Sequence, residues 1–81
     1  MSEKLKILSG KEVVRIFEKY GAVAKRITGS HVRISGIKEN ASINITIPLH
    51  REVKNGTLRS ITKDFEVCFG DEAMRLEFYH K

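Results

Sequence analysis

Arg26-Ile27-Thr28-Gly29-Ser30-His31-Val32-Arg33-Ile34 reads as a β-hairpin, and its register decides the fold. Gly29-Ser30 is a two-residue loop suited to a type II′ turn, because glycine takes positive φ without steric penalty. A loop of that length sets Thr28 opposite His31, Ile27 opposite Val32 and Arg26 opposite Arg33. Apolar then meets apolar and polar meets polar, which is how register is specified wherever one face of a sheet is buried.

The same alternation continues downstream. In 31–36, Val32 and Ile34 oppose His31, Arg33 and Ser35; in 42–49, Ile43, Ile45, Ile47 and Leu49 oppose Ser42, Asn44, Thr46 and Pro48. Lys38-Glu39-Asn40-Ala41 turns the second hairpin, and 22–28 is the weakest of the three strand signals. The pairing puts Arg26, Thr28, His31, Arg33, Ser35, Asn44 and Thr46 on one open face. Ile27, Val32, Ile34, Ile43, Ile45 and Ile47 share the other face, which helices must cover.

Those helices flank the meander. Ser9 and Glu12 have the spacing of a capping box, in which the hydroxyl takes a free helix N–H and the carboxylate reaches back. Val13, Ile16, Phe17 and Tyr20 then recur at i, i+3, i+4 and i+7, and Gly21 stands at the C-terminal cap, so 10–20 is a helix. After a polar connection over 49–54, Asn55-Gly56-Thr57 opens a second helix with Leu58, Ile61 and Phe65 on its apolar side. For 65–79 the pattern leaves two readings. Phe65, Val67, Phe69, Met74, Leu76 and Phe78 alternate about Gly70-Asp71-Glu72-Ala73 like a hairpin, yet the spacings also suit a helix. The fold class is α+β: α-β-β-β-α with a three-stranded antiparallel sheet and helices on one face, the order of a minimal double-stranded-RNA-binding domain.

Composition narrows the function classes. Eighty-one residues make one domain over 1–81, close to the smallest size that one apolar core stabilises unaided. The single Cys68 excludes an internal disulfide framework and suits a reducing cytoplasm. No apolar run approaches the roughly 20 residues of a membrane span, and 1–8 lacks the continuous apolar stretch of a signal peptide. Fifteen Lys and Arg against ten Asp and Glu give +5, an excess that favours an acidic partner, most commonly nucleic acid. The excess is uneven: residues 1–63 hold 13 basic and 5 acidic side chains (+8), residues 64–81 hold 2 and 5 (−3). There is no Gly-x-x-x-x-Gly-Lys loop, no cysteine pair and no His/carboxylate cluster at metal-ligand spacing, so nucleotide-dependent enzymes and zinc modules are not expected.

Leu8-Ser9-Gly10-Lys11-Glu12-Val13, Gly29-Ser30-His31, Ile47-Pro48-Leu49-His50 and Gly56-Thr57-Leu58-Arg59-Ser60-Ile61 occur in the order and spacing of the HicA toxin family, which the chain resembles from about Lys4 to Tyr79. The resemblance implies an RNA-cleaving toxin, acting on mRNA without metal or other cofactor and neutralised by a HicB-type antitoxin. It also implies that the catalytic histidine is His31 and that the tail is a short extra helix. The chain departs from the family pattern at Lys38-Glu39-Asn40, where many members have an Asp-Gly turn, and at Thr62, where an apolar residue is usual. Both departures are expected to touch the surface and target choice.

The chemistry agrees with the derived open face. RNA brings its own nucleophile, the 2′-hydroxyl, so an enzyme must move protons and stabilise phosphoryl charge. A histidine titrating near neutrality suits the first task and cations suit the second. His31 is therefore the candidate acid–base residue, with Arg26 and Arg33 on phosphates and Gly29, Ser30, Lys54 and Arg59 as further RNA contacts. His50 is either a second proton carrier or a structural residue bonding the start of the second helix. Thr57 is either an anion ligand at that helix start or its cap. Lys11, Arg15 and Lys19 line the first helix as solvated or phosphate-facing cations. A non-catalytic RNA-binding module of the same fold is the alternative function, and a basic docking site for an acidic protein is a third.

Overall fold

A computed structural model describes residues 4–38 and 41–80, in which α1 (Gly10–Lys19), β1 (Val23–Thr28), β2 (His31–Lys38), β3 (Ala41–Pro48), α2 (Asn55–Phe69) and α3 (Asp71–Phe78) follow in that order. The strands form one antiparallel sheet in the order β1-β2-β3. β1 pairs with β2 through Thr28↔His31, Ile27↔Val32 and Arg26↔Arg33, the register that the two-residue loop dictates. β2 pairs with β3 through His31↔Pro48, Arg33↔Thr46 and Ile34↔Ile45. The second hairpin closes at Lys38↔Ala41, and its tip, Glu39-Asn40, lies outside the described residues.

α1 starts with the expected capping box. The Glu12 N–H donates to the Ser9 hydroxyl at 3.1 Å and the Ser9 N–H donates to the Glu12 carboxylate at 2.8 Å. It ends in a Schellman arrangement, with Gly21 at φ 97, its N–H on the Glu18 carbonyl and the Ala22 N–H on the Phe17 carbonyl. α2 has no such start. Lys54 occupies its N-cap without a side-chain hydrogen bond, so Thr57 does not cap it.

α1 and α2 pack on one face of the sheet and α3 packs on α2. Val13 and Phe17 of α1, Leu58, Ile61 and Phe65 of α2, and Phe78 of α3 meet Val32, Ile34, Ile43 and Ile47 in one buried core. Phe65 is its hub, with ring centroids of Phe17, Tyr20 and Phe78 each 5.1 Å away and edge-on. Two expectations about this layer are corrected. Ile27 has the right parity for the covered face but is 69% exposed, because it sits on the edge strand and is not covered by the helical layer. Thr62 is buried rather than superficial, and its hydroxyl donates to the Arg59 carbonyl at 2.7 Å, which satisfies a polar group where an apolar one is usual.

The tail is helical, and two contacts hold it. Tyr79 bridges antiparallel to Leu5, with the Lys6 N–H on the Phe78 carbonyl and the His80 N–H on the Lys4 carbonyl. Glu77, its side chain 11% exposed, receives the Lys19 ammonium at 2.8 Å and the Tyr20 hydroxyl at 2.8 Å. Burial pushes the Glu77 carboxyl up, but hydrogen bonds from Lys19 and Tyr20, with the charges of Lys19 and Lys6, outweigh it and hold the group below its ordinary value. Lys19 is thereby an α1–α3 tie and not a free cation.

The connection after β3 is stitched to the chain start. The Gly10 N–H donates to the His50 carbonyl at 2.9 Å, and the Val53 N–H donates to the Leu8 carbonyl at 2.8 Å. Val53 is buried, so the stretch is less polar in role than in composition. Gly10 itself lies so close to β3 that a Cβ there would collide with the Pro48 carbonyl oxygen and sit 2.7 Å from the Leu49 Cα.

Two stability outcomes follow. Gly10→Ala lowers unfolding free energy by about 2–3 kcal/mol, since backbone must move to admit the methyl; a chemical-denaturation midpoint reads it, and a neutral result removes the close approach as a constraint. For Glu77, the folded state favours the charged carboxylate. Its contribution is complete above the ordinary carboxylate value and disappears as pH falls through the lower folded value. The thermal midpoint of wild type therefore exceeds that of Glu77→Gln at pH 7, and the gap closes on acidification.

Candidate functional site

The face of the sheet away from the helices is shaped by its hairpin. Gly29 takes φ 56 in the β1–β2 turn, which lets Ser30 lead straight into His31 at the start of β2. The turn is pinned from a third strand, because the Leu49 N–H donates to the Ser30 carbonyl at 2.6 Å. The His31 ring is exposed, with the Ser30 hydroxyl 3.5 Å from Nδ1. The Leu49–Ser30 bond and the pairing with Thr28 place the main chain of His31.

His31, Thr28, Arg26 and Arg33 line a concavity of about 710 Å³, joined from β3 by Asn44 and Thr46. Lys25 completes the lining. The register steps from Ala24↔Ile34 to Arg26↔Arg33, so Lys25 is the extra residue of a β-bulge and faces the same side as Arg26. Hairpin parity alone placed Arg26 there and missed Lys25. The signal that could have found it is the Lys25-Arg26 doublet itself, which breaks the alternation of an otherwise half-buried strand and made 22–28 look weak.

The electrostatics of this concavity are one-sided. Lys25, Arg26 and Arg33 bring three cations, and among the described residues no carboxylate lines it and none of the three is ion-paired. Arg26 and Arg33 are directly opposed across the ladder, an arrangement that destabilises a sheet unless an anion sits between the charges. Three carboxylates are engaged elsewhere: Glu12 in the α1 cap, Glu77 on Lys19 and Asp71 on Arg75.

The other expected residues divide. Gly29 and Ser30 form the turn beside His31. Lys54, Thr57 and Arg59 are exposed at the start of α2 and do not line the concavity. His50 is exposed two residues beyond Pro48, the partner of His31, and it bonds Gly10 through its backbone carbonyl rather than bonding α2 through its ring. Cys68 is buried in the helical layer, where burial, and then the Asp64 charge, raise its thiol above the ordinary value. No group of three or more His, Cys, Asp or Glu among the described residues could hold a metal ion.

Residues 10–67 match the family model described as HicA toxin of bacterial toxin-antitoxin. The chain belongs to the HicA toxin family. The match runs from the first residue of α1 through most of α2 and so includes the whole of the HicA sheet and its hairpin. HicA toxins are one half of toxin–antitoxin pairs, so membership implies an antitoxin partner. Comparison with curated proteins and with solved structures gave no match. No helix among the described HicA residues is long and apolar enough to cross a membrane.

The opposed guanidinium groups carry a measurable consequence. Arg33→Gln raises the thermal stability of the free HicA chain by a few tenths of a kcal/mol at low salt, and the gain shrinks as salt screens the repulsion. Thermal midpoints of both proteins at two ionic strengths test this; a loss of stability at low salt would mean the two charges are already compensated.

Proposed function

We propose that this HicA toxin is an endoribonuclease that cleaves mRNA in the cytoplasm without metal or other cofactor, with His31 as the catalytic residue and a HicB-type protein as its antitoxin. The observation that carries the reading is the uncompensated Arg26–Arg33 pair beside an exposed imidazole. A polyanion supplies the missing counter-charge, and RNA is the polyanion whose backbone can be cut by proton transfer alone.

In this mechanism a phosphodiester lies across β1 and β2 with its non-bridging oxygens against Arg26 and Arg33. Each guanidinium presents a planar fork of N–H donors, and the increasing charge of the pentacoordinate phosphorane strengthens those bonds relative to the ground state. Attack of the 2′-oxygen on phosphorus breaks the bond to the 5′-oxygen and leaves a 2′,3′-cyclic phosphate: neutral His31 takes the 2′-hydroxyl proton while water protonates the departing 5′-oxygen, or protonated His31 gives its proton to the 5′-oxygen while water takes the one from the 2′-hydroxyl. Ser30, 3.5 Å from Nδ1, favours one ring orientation without locking it, which leaves the imidazole able to exchange protons. Asn44 and Thr46 offer hydrogen bonds from the β3 side of the same concavity. Gly29 contributes through the turn that brings Ser30 and His31 to the rim. Lys54 and Arg59 belong to a separate basic region that would meet RNA only beyond the cleavage point.

Incubation of purified protein with single-stranded RNA in EDTA tests the whole reading. Cleavage is expected in wild type, with His31→Ala slower by about 10²-fold or more and an unchanged circular dichroism spectrum. Binding without cleavage at high protein concentration would replace the enzyme with an RNA-binding module of the same fold. Retained cleavage in His31→Ala would move the chemistry to another residue.

A further inference from the structure

β1 contains one residue more than its ladder uses. Ala24 pairs with Ile34 and Arg26 with Arg33, and Lys25 between them has no partner on β2. Without Lys25 the strand would read Val23, Ala24, Arg26, Ile27, Thr28 in strict alternation. Ala24 and Ile27 would still meet Ile34 and Val32, and Val23, Arg26 and Thr28 would still meet Ser35, Arg33 and His31. None of the β1–β2 pairs uses the residue. What the bulge adds is charge: neighbours in a regular strand point to opposite faces, whereas Lys25 and Arg26 line the same concavity. The like-charge repulsion already present between Arg26 and Arg33 makes a third cation there still harder to account for by stability.

We propose that Lys25 binds a phosphate flanking the one that is cut, so that the substrate is held over at least two consecutive phosphates. The inference rests on the nuclease reading and adds a subsite to it. Lys25 lies three residues along β1 from Thr28, the partner of His31, about 10 Å at the rise of a strand. It is one position beyond Arg26, further from the hairpin end. A flexible ammonium suits a flanking phosphate, which needs attraction but no fixed geometry. The guanidinium forks nearer His31 suit the phosphate whose oxygens must be oriented. The competing role for a lysine here is to blunt an exposed sheet edge against strand pairing, which needs the charge but no RNA.

The test uses a fluorescent single-stranded RNA whose 2′-oxygens are methylated, so that it binds without being cleaved. Affinity is measured by anisotropy across a salt series. Lys25→Gln, and deletion of Lys25, each reduce the slope of log affinity against log salt by about 0.7, the contribution of one phosphate on a single strand. Lys25→Arg keeps the wild-type slope, and the deletion has a thermal midpoint at or above that of wild type because the ladder closes in register and one like charge is gone. With cleavable RNA, Lys25→Gln raises KM and leaves kcat unchanged. A wild-type slope in Lys25→Gln, alongside a reduced one in Arg26→Gln, would overturn the flanking subsite and leave the nuclease reading standing. Unchanged slopes in both variants, or no salt-dependent binding by wild type, would overturn both.

Discussion

Everything at the hairpin end of the sheet depends on how closely α1 approaches β3. Gly10 has no side chain, so the first turn of α1 can seat against Pro48 and Leu49, with its N–H on the His50 carbonyl. Leu49, held in that position, donates to Ser30 and so fixes the turn that leads into His31. Two residues after Gly10's acceptor the chain turns back, and Val53 bonds Leu8 before α2 begins. Three segments far apart in sequence thus meet at one point, and the missing methyl of Gly10 is what allows the distance. These bonds place the main chain of His31. Among the described residues the ring has one hydrogen-bonding side chain beside it, Ser30 at 3.5 Å.

The sheet was readable because its constraints are local. A two-residue loop fixes register, one buried face fixes parity, and every β1–β2 pair counted from Gly29-Ser30 as far as Arg26↔Arg33 is present. The capping box of α1 was readable for the same reason, since Ser9 and Glu12 satisfy each other within one turn. What escaped the sequence depends on neighbours that no spacing reveals. Lys25 disturbs the period rather than obeying it. Gly10 looks like an ordinary first helical residue until Pro48 is known to lie against it. The 65–79 pattern fits strand and helix alike; Phe78 reaching Phe65 and Glu77 reaching Lys19 and Tyr20 are tertiary contacts that favour the helix. Ile27 shows the reverse failure, a correct parity with no covering element.

The charges divide by layer, and the division organises the molecule. The acidic excess of residues 64–81 serves the helices: Glu77 closes α3 onto α1 and Asp71 pairs with Arg75 inside α3. Among the described residues no carboxylate lines the concavity where Lys25, Arg26 and Arg33 come together. A sequence optimised only for stability would place an acidic residue opposite Arg26, as cross-strand pairs ordinarily favour. The β1–β2 ladder instead opposes Arg33, a local choice against the stability of the sheet. Conflicts of this kind concentrate at functional sites, where a ligand resolves them.

That conflict also bears on how binding couples to folding. An anion that bridges Arg26 and Arg33 gains its own attraction and also removes a repulsion that exists only in the folded chain. By linkage it therefore stabilises the folded state, and more than it would on a surface whose cations were already paired. The same reasoning holds for any partner that covers the face, since an antitoxin presenting carboxylates there would meet the same unpaired guanidinium groups.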